Sequence, residues 1–419
     1  MVTEPVTAAG LIPFLDALAG FSAEGPGVTR RAYDDAWCDA HAWLQRQARM
    51  LGFAATPDAA GNLLFHGLDV PPHAPALLVG SHLDSVVHGG RLDGAYGLAC
   101  GFLLVAELRG AGRLPVVGFA TCEEEESRFP GALMGARSLI GQAEAGELDA
   151  IADERGITWR AALEGARARG CAVAIEDDAH PFAPPFAPRA TLEIHIEQGP
   201  VLEREGLALG IVEHIAGYRR MRLDVAGEAR HSGTTPMRMR RDALAAAAEM
   251  VLAVEALGRD ANEPAVATAG VLVPEPGLYN VVPGHCTLGV EVRHVDAARL
   301  EALAAELLAR CRAIAARRRV HVESGDASGQ EPTSLSPELA ATALDLAQQL
   351  GVPHRRMASG AAHDTMVFAR AGVPALMLFV PSRGGISHSP DESTAPDQLV
   401  AGYRFLVALA RRVAERPPR

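Results

Sequence analysis

The stretch from Pro75 to about Leu139 alternates short apolar runs with longer helical patterns, in the order strand, helix, strand, helix. The four runs are APALLVGSH, AYGLACGFLLVAELRG, LPVVGFATCE and GALMGARSL. This alternation predicts an α/β fold with a parallel or mixed sheet and helices on both faces. In such sheets, functional side chains follow the carboxyl ends of the strands, where the loops open a crevice. We therefore look for a site in the loops that follow the strands.

The chain has 419 residues, which is too long for one hydrophobic core, so two domains are expected. From about residue 217 the pattern changes to strand, helix, two strands, helix and strand. This βαββαβ order predicts an inserted ferredoxin-like domain with a four-stranded sheet and two helices on one face. A helix start at Ser336-Pro337-Glu338 and the apolar run PALMLFVP then resume the first pattern. We predict a discontinuous catalytic domain, residues 1–216 and 327–419, and a lid or dimerisation domain, residues 217–326.

Composition excludes several classes of protein. All 39 basic residues are arginine, against 51 acidic residues, and the net charge of −12 argues against nucleic-acid binding. The six cysteines show no CxxC spacing, which predicts neither a disulfide framework nor a zinc ribbon and favours a reducing cytoplasm. The amino-terminal segment has no positively charged start, and no apolar run approaches about 20 residues, so neither a secretory signal nor a membrane span is expected. The Pro-rich residues 180–188 predict an ordered loop.

Five possible metal ligands stand in five distinct segments: His82, Asp93, Glu125, His195 and His388. The chain has 15 histidines, and a single histidine is more often an ordinary polar residue than a ligand. Here, however, His82 ends a predicted strand, and Asp93 lies in a second Gly-bounded turn, RLDG, eleven residues later. A bridging carboxylate flanked by His and Glu suits two zinc-like ions about 3.5–4 Å apart. Asp84 is then expected to orient the His82 ring through its other nitrogen.

Four glutamates, residues 123–126, follow the strand LPVVGFATC directly. A run of glutamates is usually a solvated loop. At a strand end, however, four carboxylates repel one another unless a cation or a proton offsets the charge, which favours metal binding and one base of raised pKa. We assign Glu125 to the metal and Glu124 to the general base. Glu124 would take a proton from a metal-bridging water and pass it to the leaving nitrogen.

These segments resemble the amidohydrolase branch of the M20 metallopeptidase-like family, which contains N-carbamoyl-L-amino acid hydrolases, allantoate amidohydrolases and β-ureidopropionases. The resemblance covers nearly the whole chain. It is carried in order by GSHLDSVVHGGRLDGAYG, EEESRFPGALMGAR, HIEQGP, GEARHSGTTPMRMRRDA, NVVPG, EVRH, SGAAHD and VPSRGGISHSPDE. It implies that His82 and His195 hold one metal, that Glu125 and His388 hold the second, and that Asp93 bridges them.

The resemblance also implies a set of substrate-binding residues: Gln198, His231, Asn280, Arg293, Gly360 and His363. His231 matches a lid histidine that reaches the partner subunit's active site and steadies the tetrahedral oxyanion; without the resemblance it could be an ordinary turn residue. Arg293 and Asn280 suit a substrate with a free carboxylate, because an arginine offers it a bidentate fork. From spacing alone, Arg293 could equally be a solvated strand residue.

Two positions depart from the family pattern. Glu126 stands where the family usually has glycine after the paired glutamates, and Ala362 stands where the family has the second glycine of SGAGHD. We expect the first departure to alter the turn that holds the base and the second to narrow the pocket.

We predict a metal-dependent amidohydrolase that cleaves the ureido C–N bond of an N-carbamoyl-L-amino acid or allantoate and releases ammonia and carbon dioxide. Two divalent ions per subunit are expected; zinc is the first choice, and manganese, cobalt and nickel suit the same ligands. The partners expected are a small ureido carboxylate substrate and a second copy of the chain in a homodimer. The alternatives are an M20 peptidase or aminoacylase and a catalytically silent metal- or ligand-binding protein.

Overall fold

The structure is a computed structural model that describes residues 8–131, 133–176, 182 and 184–418. It divides into two compact units. The first unit comprises Met1–Glu213, Leu335–Met357 and His363–Arg419, and the second comprises His214–Ser334 and Ala358–Ala362. The predicted insertion, residues 217–326, falls within the second unit. Ala358–Ala362 also belongs there, although the sequence analysis assigned that segment to the catalytic domain. Part of the Pro-rich loop expected at residues 180–188 lies outside the described residues.

The described residues contain strands of two main sheets and one small two-stranded sheet. The strands are β1 (Ala54–Pro57), β2 (Leu63–His66), β3 (Pro75–His82), β4 (Val116–Thr121), β5 (Ala187–Ile196), β6 (Leu209–Ile215), β7 (Gly217–Ala226), β8 (Arg230–His231), β9 (Val266–Glu275), β10 (Val281–Val282), β11 (His285–His294), β12 (His321–Gln330), β13 (Thr333–Ser334), β14 (His354–Ser359) and β15 (Ala375–Val380).

Helices connect and cover these strands. They are α1 (Leu11–Ala19), α2 (Asp35–Met50), α3 (Ala95–Leu108), α4 (Met134–Leu139), α5 (Glu147–Ala150), α6 (Trp159–Ala168), α7 (Val201–Glu205), α8 (Ala243–Ala261), α9 (Ala297–Arg318), α10 (Pro337–Leu350), α11 (Thr365–Arg370) and α12 (Pro396–Glu415). Several begin at side-chain caps, as at Asp34 before α2 and Ser336 before α10, where the side-chain oxygen accepts from a first-turn amide. None of the described helices is both long and apolar enough to cross a membrane.

The larger sheet runs in the order β1-β2-β4-β3-β5-β15-β6-β13, with β14 paired to β6. Its centre, β4-β3-β5-β15, is parallel, and antiparallel β2 and β6 flank it. The prediction of a mixed α/β sheet is therefore confirmed. Because the four central strands point the same way, their carboxyl ends meet at one edge. His82 ends β3 opposite Thr121 of β4, and His195 pairs with Phe379 of β15.

Both faces of this sheet are covered by helices. Leu77 and Val79 of β3 point into one apolar core, which also includes side chains of α1, α2, α3, α10 and α12. The alternate residues Ala76 and Leu78 point into a second core, where α11 contributes Phe368. Side chains of a strand alternate between faces, so a strand buried on both sides reads as a continuous apolar run. This explains why β3, with the sequence PALLVGSH, is apolar along most of its length.

The second unit has a four-stranded antiparallel sheet in the order β12-β7-β11-β9. Along the chain its main elements follow as β7, α8, β9, β11, α9 and β12, which is the βαββαβ order of the sequence pattern. Leu223 of β7 and Leu288 of β11 are buried in one apolar core with Met250 of α8 and Leu307 of α9. Along these strands, the residues on either side of the buried ones point to the opposite face of the sheet, which is more exposed, because successive side chains of a strand point to opposite faces.

Candidate active site

Asp93 lies at the centre of a cluster of histidines at the carboxyl edge of the parallel strands. Its Oδ1 is 3.0 Å from Nε2 of His195 and 3.5 Å from Nε2 of His82. Its Oδ2 is 3.3 Å from Nε2 of His388, and that nitrogen is also 3.3 Å from Oε2 of Glu125. The two oxygens of one buried carboxylate therefore face two different sets of side chains. This is the arrangement of a group that can bridge two cations.

Hydrogen bonds set the protonation of the two buried rings. Nδ1 of His82 is 3.0 Å from the main-chain oxygen of Asp84, and Nδ1 of His195 is 2.9 Å from that of Ile196. A carbonyl oxygen can only accept, so each Nδ1 carries the hydrogen, and in the neutral ring Nε2 keeps its lone pair. The Gly94 amide, 3.2 Å from Nε2 of His195, donates to that lone pair. In the neutral form that metal binding requires, both rings thus present an unprotonated nitrogen toward Asp93.

Gly94 makes the close approach of these groups possible. Its φ is +64°, and a Cβ added at this position would lie 2.3 Å from Cε1 of His82. A side chain at position 94 would therefore displace the His82 ring, so the RLDG turn requires glycine.

The contact between Asp84 and His82 differs from the one predicted. The Asp84 carboxylate is 3.8 Å from the His82 ring, so it is the main-chain carbonyl of Asp84 that orients this imidazole. The side chain turns the other way, and its two oxygens accept from the amides of Glu124 and Glu125, each at 3.1 Å. The reason is local: after the end of β3, the carbonyl two residues on already faces the ring. Asp84 therefore holds the glutamate loop through its carboxylate.

Glu124 and Glu125 are largely buried in that loop. Oε2 of Glu124 is 3.8 Å from Nε2 of His82. Burial raises the pKa of Glu124 well above its usual range, although the neighbouring His82 acts in the opposite direction. Burial, followed by the charge of Asp93, raises the pKa of Glu125 to about 7. Within the described part of the chain, Oε1 of Glu125 is buried without a hydrogen-bond partner, which suits a carboxylate that ligates a cation.

The cluster attracts positive charge. Burial alone would lower the pKa of His82, but Glu124 and Asp93 raise it well above its usual value. Asp93 raises the pKa of His388 to about 9. Burial alone would raise the pKa of Asp93, but the histidines, His195 first, hold it well below its usual range. Carboxylates with so little solvent are stable only beside protons or metal ions.

Among the described residues, four groups of side chains offer donor atoms, and within each group these atoms all lie within 4.8 Å of one another. They are His82–Asp93–His195, Asp93–Glu125–His388, His82–Glu124–Glu125 and Glu193–His195–His363. The first two share Asp93 and contain all five predicted ligands. Their imidazole and carboxylate donors fit zinc or another divalent first-row metal.

The fourth group involves His363, which is buried next to His195 with 4.8 Å between the ring centroids. Burial lowers the pKa of His363 well below its usual value, so its ring is neutral. The Glu193 carboxylate is already used by hydroxyl donors, Ser81 at 2.7 Å and Thr365 at 2.5 Å. Glu193 therefore braces the strands below the site, and the Asp93-sharing groups are better placed for metal binding.

Several residues around this cluster have strained backbone conformations. Glu123, Gln198 and His388 have φ of +50°, +58° and +54°, in the left-handed region that non-glycine residues rarely adopt. Such strain commonly marks functional sites. The side-chain amide of Gln198 donates to Oδ2 of Asp93 at 2.9 Å, so this predicted substrate residue reaches the cluster. Glu126 also has a φ of +50°, which explains why glycine is usual at that position.

His231 and Asn280 are brought together in the second unit. His231 in β8 pairs with Val281 of β10, and the Ser232 amide donates to the Asn280 carbonyl at 3.0 Å. Nδ1 of His231 accepts from the amides of Gly233 and Thr234, at 3.1 and 3.3 Å. In the neutral ring the hydrogen therefore lies on Nε2, which is exposed and able to donate.

Arg293 and Gly360 are also in contact in the second unit. Nε of Arg293 donates to Oε1 of Glu291 at 2.6 Å, and Nη1 donates to the Gly360 carbonyl at 2.5 Å. The guanidinium lies 5.5 Å from the ring centroid of Tyr218. The bond to Gly360 links the segment Ala358–Ala362 to β11 within the second unit. Ala362 lies in that same segment, two residues after Gly360.

Sequence reasoning missed Ser387 and Glu392. Both lie beside Asp93, where the Ser387 hydroxyl is 2.8 Å from Oδ2 and Glu392 accepts from the Asp93 amide at 3.1 Å. In the sequence, both residues lie in the segment GGISHSPDE, in which His388 alone was predicted as a site residue.

Known proteins resemble this chain over almost its whole length. A family model described as Peptidase family M20/M25/M40 matches residues 78–412. An N-carbamoyl-L-amino-acid amidohydrolase from Paenarthrobacter aurescens is 36% identical over 397 residues, which cover 94% of this chain and 95% of the relative. An allantoate amidohydrolase from Escherichia coli is 34% identical over 403 residues, which cover 95% and 96%. The crystal structure of a hydantoinase/carbamoylase family amidase from Burkholderia multivorans matches with a TM-score of 0.88 at 30% identity, and the match covers 99% of both chains.

The family match and the sequence relatives agree with the resemblance read from the motifs. The chain therefore belongs to the M20/M25/M40 peptidase family, in its branch of amidohydrolases, and is a hydrolase of carbon–nitrogen bonds other than peptide bonds.

Proposed function

We propose that this enzyme hydrolyses the ureido C–N bond of an N-carbamoyl-L-amino acid or of allantoate and releases ammonia and carbon dioxide. The observation that carries the proposal is the Asp93 carboxylate, whose two oxygens face different histidines with Glu124 beside them. The relatives named N-carbamoyl-L-amino-acid amidohydrolase and allantoate amidohydrolase support this substrate class.

In this proposal two divalent ions bind per subunit. His82 and His195 would hold one ion, Glu125 and His388 would hold the other, and Asp93 would be shared by both; the distances from Asp93 to the three histidines support this division. Ions bound there would polarise the substrate carbonyl and lower the pKa of a water molecule toward neutrality. Zinc, manganese, cobalt and nickel all suit these donors.

Glu124 is the proposed general base and acid. Its burial favours the protonated form, so Oε2 can hold the proton that it removes from the attacking water. Oε2 then returns that proton to the leaving nitrogen, which departs as ammonia, and the carbamate that remains breaks down to carbon dioxide and the free amine. Glu125 lies next to it in the chain but is 3.3 Å from His388, which suits a ligand better than a base. The Asp84 carboxylate supports both roles by binding the two amides of this loop.

Substrate recognition is proposed for Gln198, His231, Asn280, Arg293, Gly360 and His363. Glu291 and Gly360 hold the plane of the Arg293 guanidinium, and a fixed guanidinium recognises a substrate carboxylate better than a mobile one. The exposed Nε2–H of His231 is suited to donate to an oxyanion. For allantoate and for N-carbamoyl amino acids these contacts would be the same, since both contain a carboxylate and a ureido group.

We also propose that the enzyme is a homodimer and that His231 acts in the partner subunit's site. Strand β9 is the last strand of its sheet, and its free edge, with the exposed side chains of Val271, Leu272 and Val273, is a surface that a second copy can cover. Mixing inactive His231→Asn and Glu124→Gln proteins tests this. If His231 acts across the dimer, subunit exchange restores about one quarter of the wild-type activity, because a mixed dimer contains one intact site. A mixture that stays inactive after proven exchange, or a fully active monomer, would contradict the proposal.

A cytoplasmic location is the remaining part of the proposal. The six cysteines are free thiols with buried side chains, which suits a reducing compartment. Cell fractionation with an antibody against the chain tests this, and recovery of the protein outside the cytoplasm would contradict it.

Ammonia release tests the proposed reaction directly. Protein reconstituted with zinc, manganese or cobalt is assayed for ammonia with allantoate and a panel of N-carbamoyl-L-amino acids. Hydrolysis of N-acetyl amino acids and dipeptides forms no ammonia, so for these compounds the newly released amino group is measured. We expect turnover of a ureido substrate, a loss of at least about 10²-fold in Glu124→Gln, and little change in Glu126→Gln, since Glu126 is exposed. Hydrolysis of only the acetyl compounds or dipeptides would instead indicate an aminoacylase or peptidase, and no turnover with any substrate would indicate a binding protein.

A further inference from the structure

Glu392 binds the turn that carries Asp93, although it lies about 300 residues further along the chain. Its Oε1 accepts from the amide of Leu92 at 2.8 Å and from that of Asp93 at 3.1 Å. The Glu392 side chain is only 4% exposed, so water does not replace these bonds easily. A buried amide that loses its acceptor is costly, so this carboxylate keeps the turn in one conformation.

The other oxygen of Glu392 reaches the Asp93 side chain through a hydroxyl group. Oγ of Ser387 is 3.0 Å from Oε2 of Glu392 and 2.8 Å from Oδ2 of Asp93. Glu392 therefore contacts the main-chain amide of Asp93 directly, and the one hydroxyl hydrogen of Ser387 can be donated to Asp93 or to Glu392 but not to both. One side chain thus fixes the position of the Asp93 backbone and shares a donor with its carboxylate.

Gly90 leaves the space that Glu392 fills. A Cβ added at Gly90 would lie 2.0 Å from both Cδ and Oε1 of Glu392. Gly90 is not among the glycines with positive φ, so alanine would fit its backbone conformation. A methyl group at this position would therefore act on the carboxylate of Glu392, which would have to move away from the turn.

We infer that Glu392 is a positioning residue that holds Asp93 so that its two oxygens face different histidines. The inference rests on the proposed metal-dependent function, in which Asp93 bridges the two ions. Side chains that orient metal ligands typically change metal affinity or activity by about 10- to 100-fold when they are removed. Because both ions would share Asp93, loss of Glu392 should weaken the binding of both ions.

Equilibrium dialysis of Mn²⁺ into metal-free protein measures this effect. We expect Glu392→Ala and Gly90→Ala to bind both ions about 10- to 100-fold more weakly than the wild-type protein. Glu392→Gln should stay within about threefold, because its amide oxygen can still accept from both turn amides. Recovery by this conservative variant would show that the acceptor, not the charge, positions Asp93.

Asp34→Ala is the matched control. The Asp34 carboxylate also accepts from two backbone amides, those of Trp37 at 2.8 Å and Arg31 at 3.1 Å, at the start of α2. Its removal should lower the melting temperature without changing the Mn²⁺ affinity.

If Glu392→Ala loses stability like this control but binds Mn²⁺ as the wild type does, Glu392 is merely structural and the inference is overturned. If Glu392→Ala does not fold, Gly90→Ala decides by the same criterion. A wild-type protein that binds no Mn²⁺, Zn²⁺ or Co²⁺ would refute the proposed metal-dependent function, and the inference with it.

Discussion

Replacing Glu126 by glycine should stabilise the first unit. Glu126 is exposed and has a φ of +50°, where a residue with a Cβ is strained by about 1–2 kcal/mol. Glycine removes that strain but gives the unfolded chain more freedom, which costs about 0.4–1 kcal/mol. With central values of about 1.5 and about 0.7 kcal/mol for these two effects, the net gain should be about 0.8 kcal/mol in the free energy of unfolding. The family's usual glycine would then be explained by backbone conformation.

Tryptophan fluorescence during urea unfolding measures this gain. All three tryptophans, Trp37, Trp43 and Trp159, lie in the first unit, so their signal reports the unfolding of that unit. The proteins should be metal-free, because a bound ion would add its own stabilisation. Glu126→Ala is the control, since it removes the same negative charge but keeps a Cβ at the left-handed position.

The reasoning predicts that Glu126→Gly is more stable than Glu126→Ala. Equal gains in both variants would mean that the crowding of four carboxylates, not backbone strain, destabilises this loop. No gain in either variant would refute the strain argument altogether.

Two further predictions concern the substrate and pH. Arg293→Lys should raise the KM for a carboxylate substrate about tenfold or more, with a smaller change in kcat, because a lysine ammonium cannot bind Glu291 and Gly360 as the planar guanidinium does. Steady-state kinetics measure both constants. An unchanged KM would show that Arg293 does not recognise the substrate carboxylate. Burial raises the pKa of Asp58 from 3.8 to about 6, so the folded protein favours the protonated carboxyl more than the unfolded chain does. The resulting contribution to the free energy of unfolding is complete below about pH 4 and is lost as the pH rises through 6. Relative to Asp58→Asn, the wild type should lose at most about 3 kcal/mol between pH 4 and 7 in urea unfolding, and a difference independent of pH would contradict this.

Much of the site follows from local sequence patterns. Apolar runs that alternate with helical patterns predict parallel strands, and the ends of parallel strands meet at one edge. His82 and His195 each come at the end of such a run, and Glu125 comes shortly after one, so their convergence is foreseeable. Asp93 and His388 lie in loops, where no periodic pattern predicts their position, and the family resemblance is what places them among the metal ligands.

The second unit shows the same balance. The βαββαβ order can be predicted from the sequence because each strand and each helix has its own pattern of apolar residues. The structure has its main elements in this same order. The membership of Ala358–Ala362 in this unit cannot be predicted from the sequence, because it depends on contacts between distant segments, among them the bond from Arg293 to the Gly360 carbonyl across 67 residues.

The sequence by itself determined the α/β class and the residue types that could bind metal, because these depend on composition, spacing and periodicity within short segments, and the resemblance of its motifs to a known family indicated the kind of chemistry. Only the tertiary structure decided which atoms meet. It placed the carbonyl of Asp84, and not its carboxylate, on the His82 ring, and it brought Glu392 to the turn of Asp93. Hydrogen bonds depend on distances of a few tenths of an ångström between atoms that are far apart along the chain, and no local pattern encodes such distances.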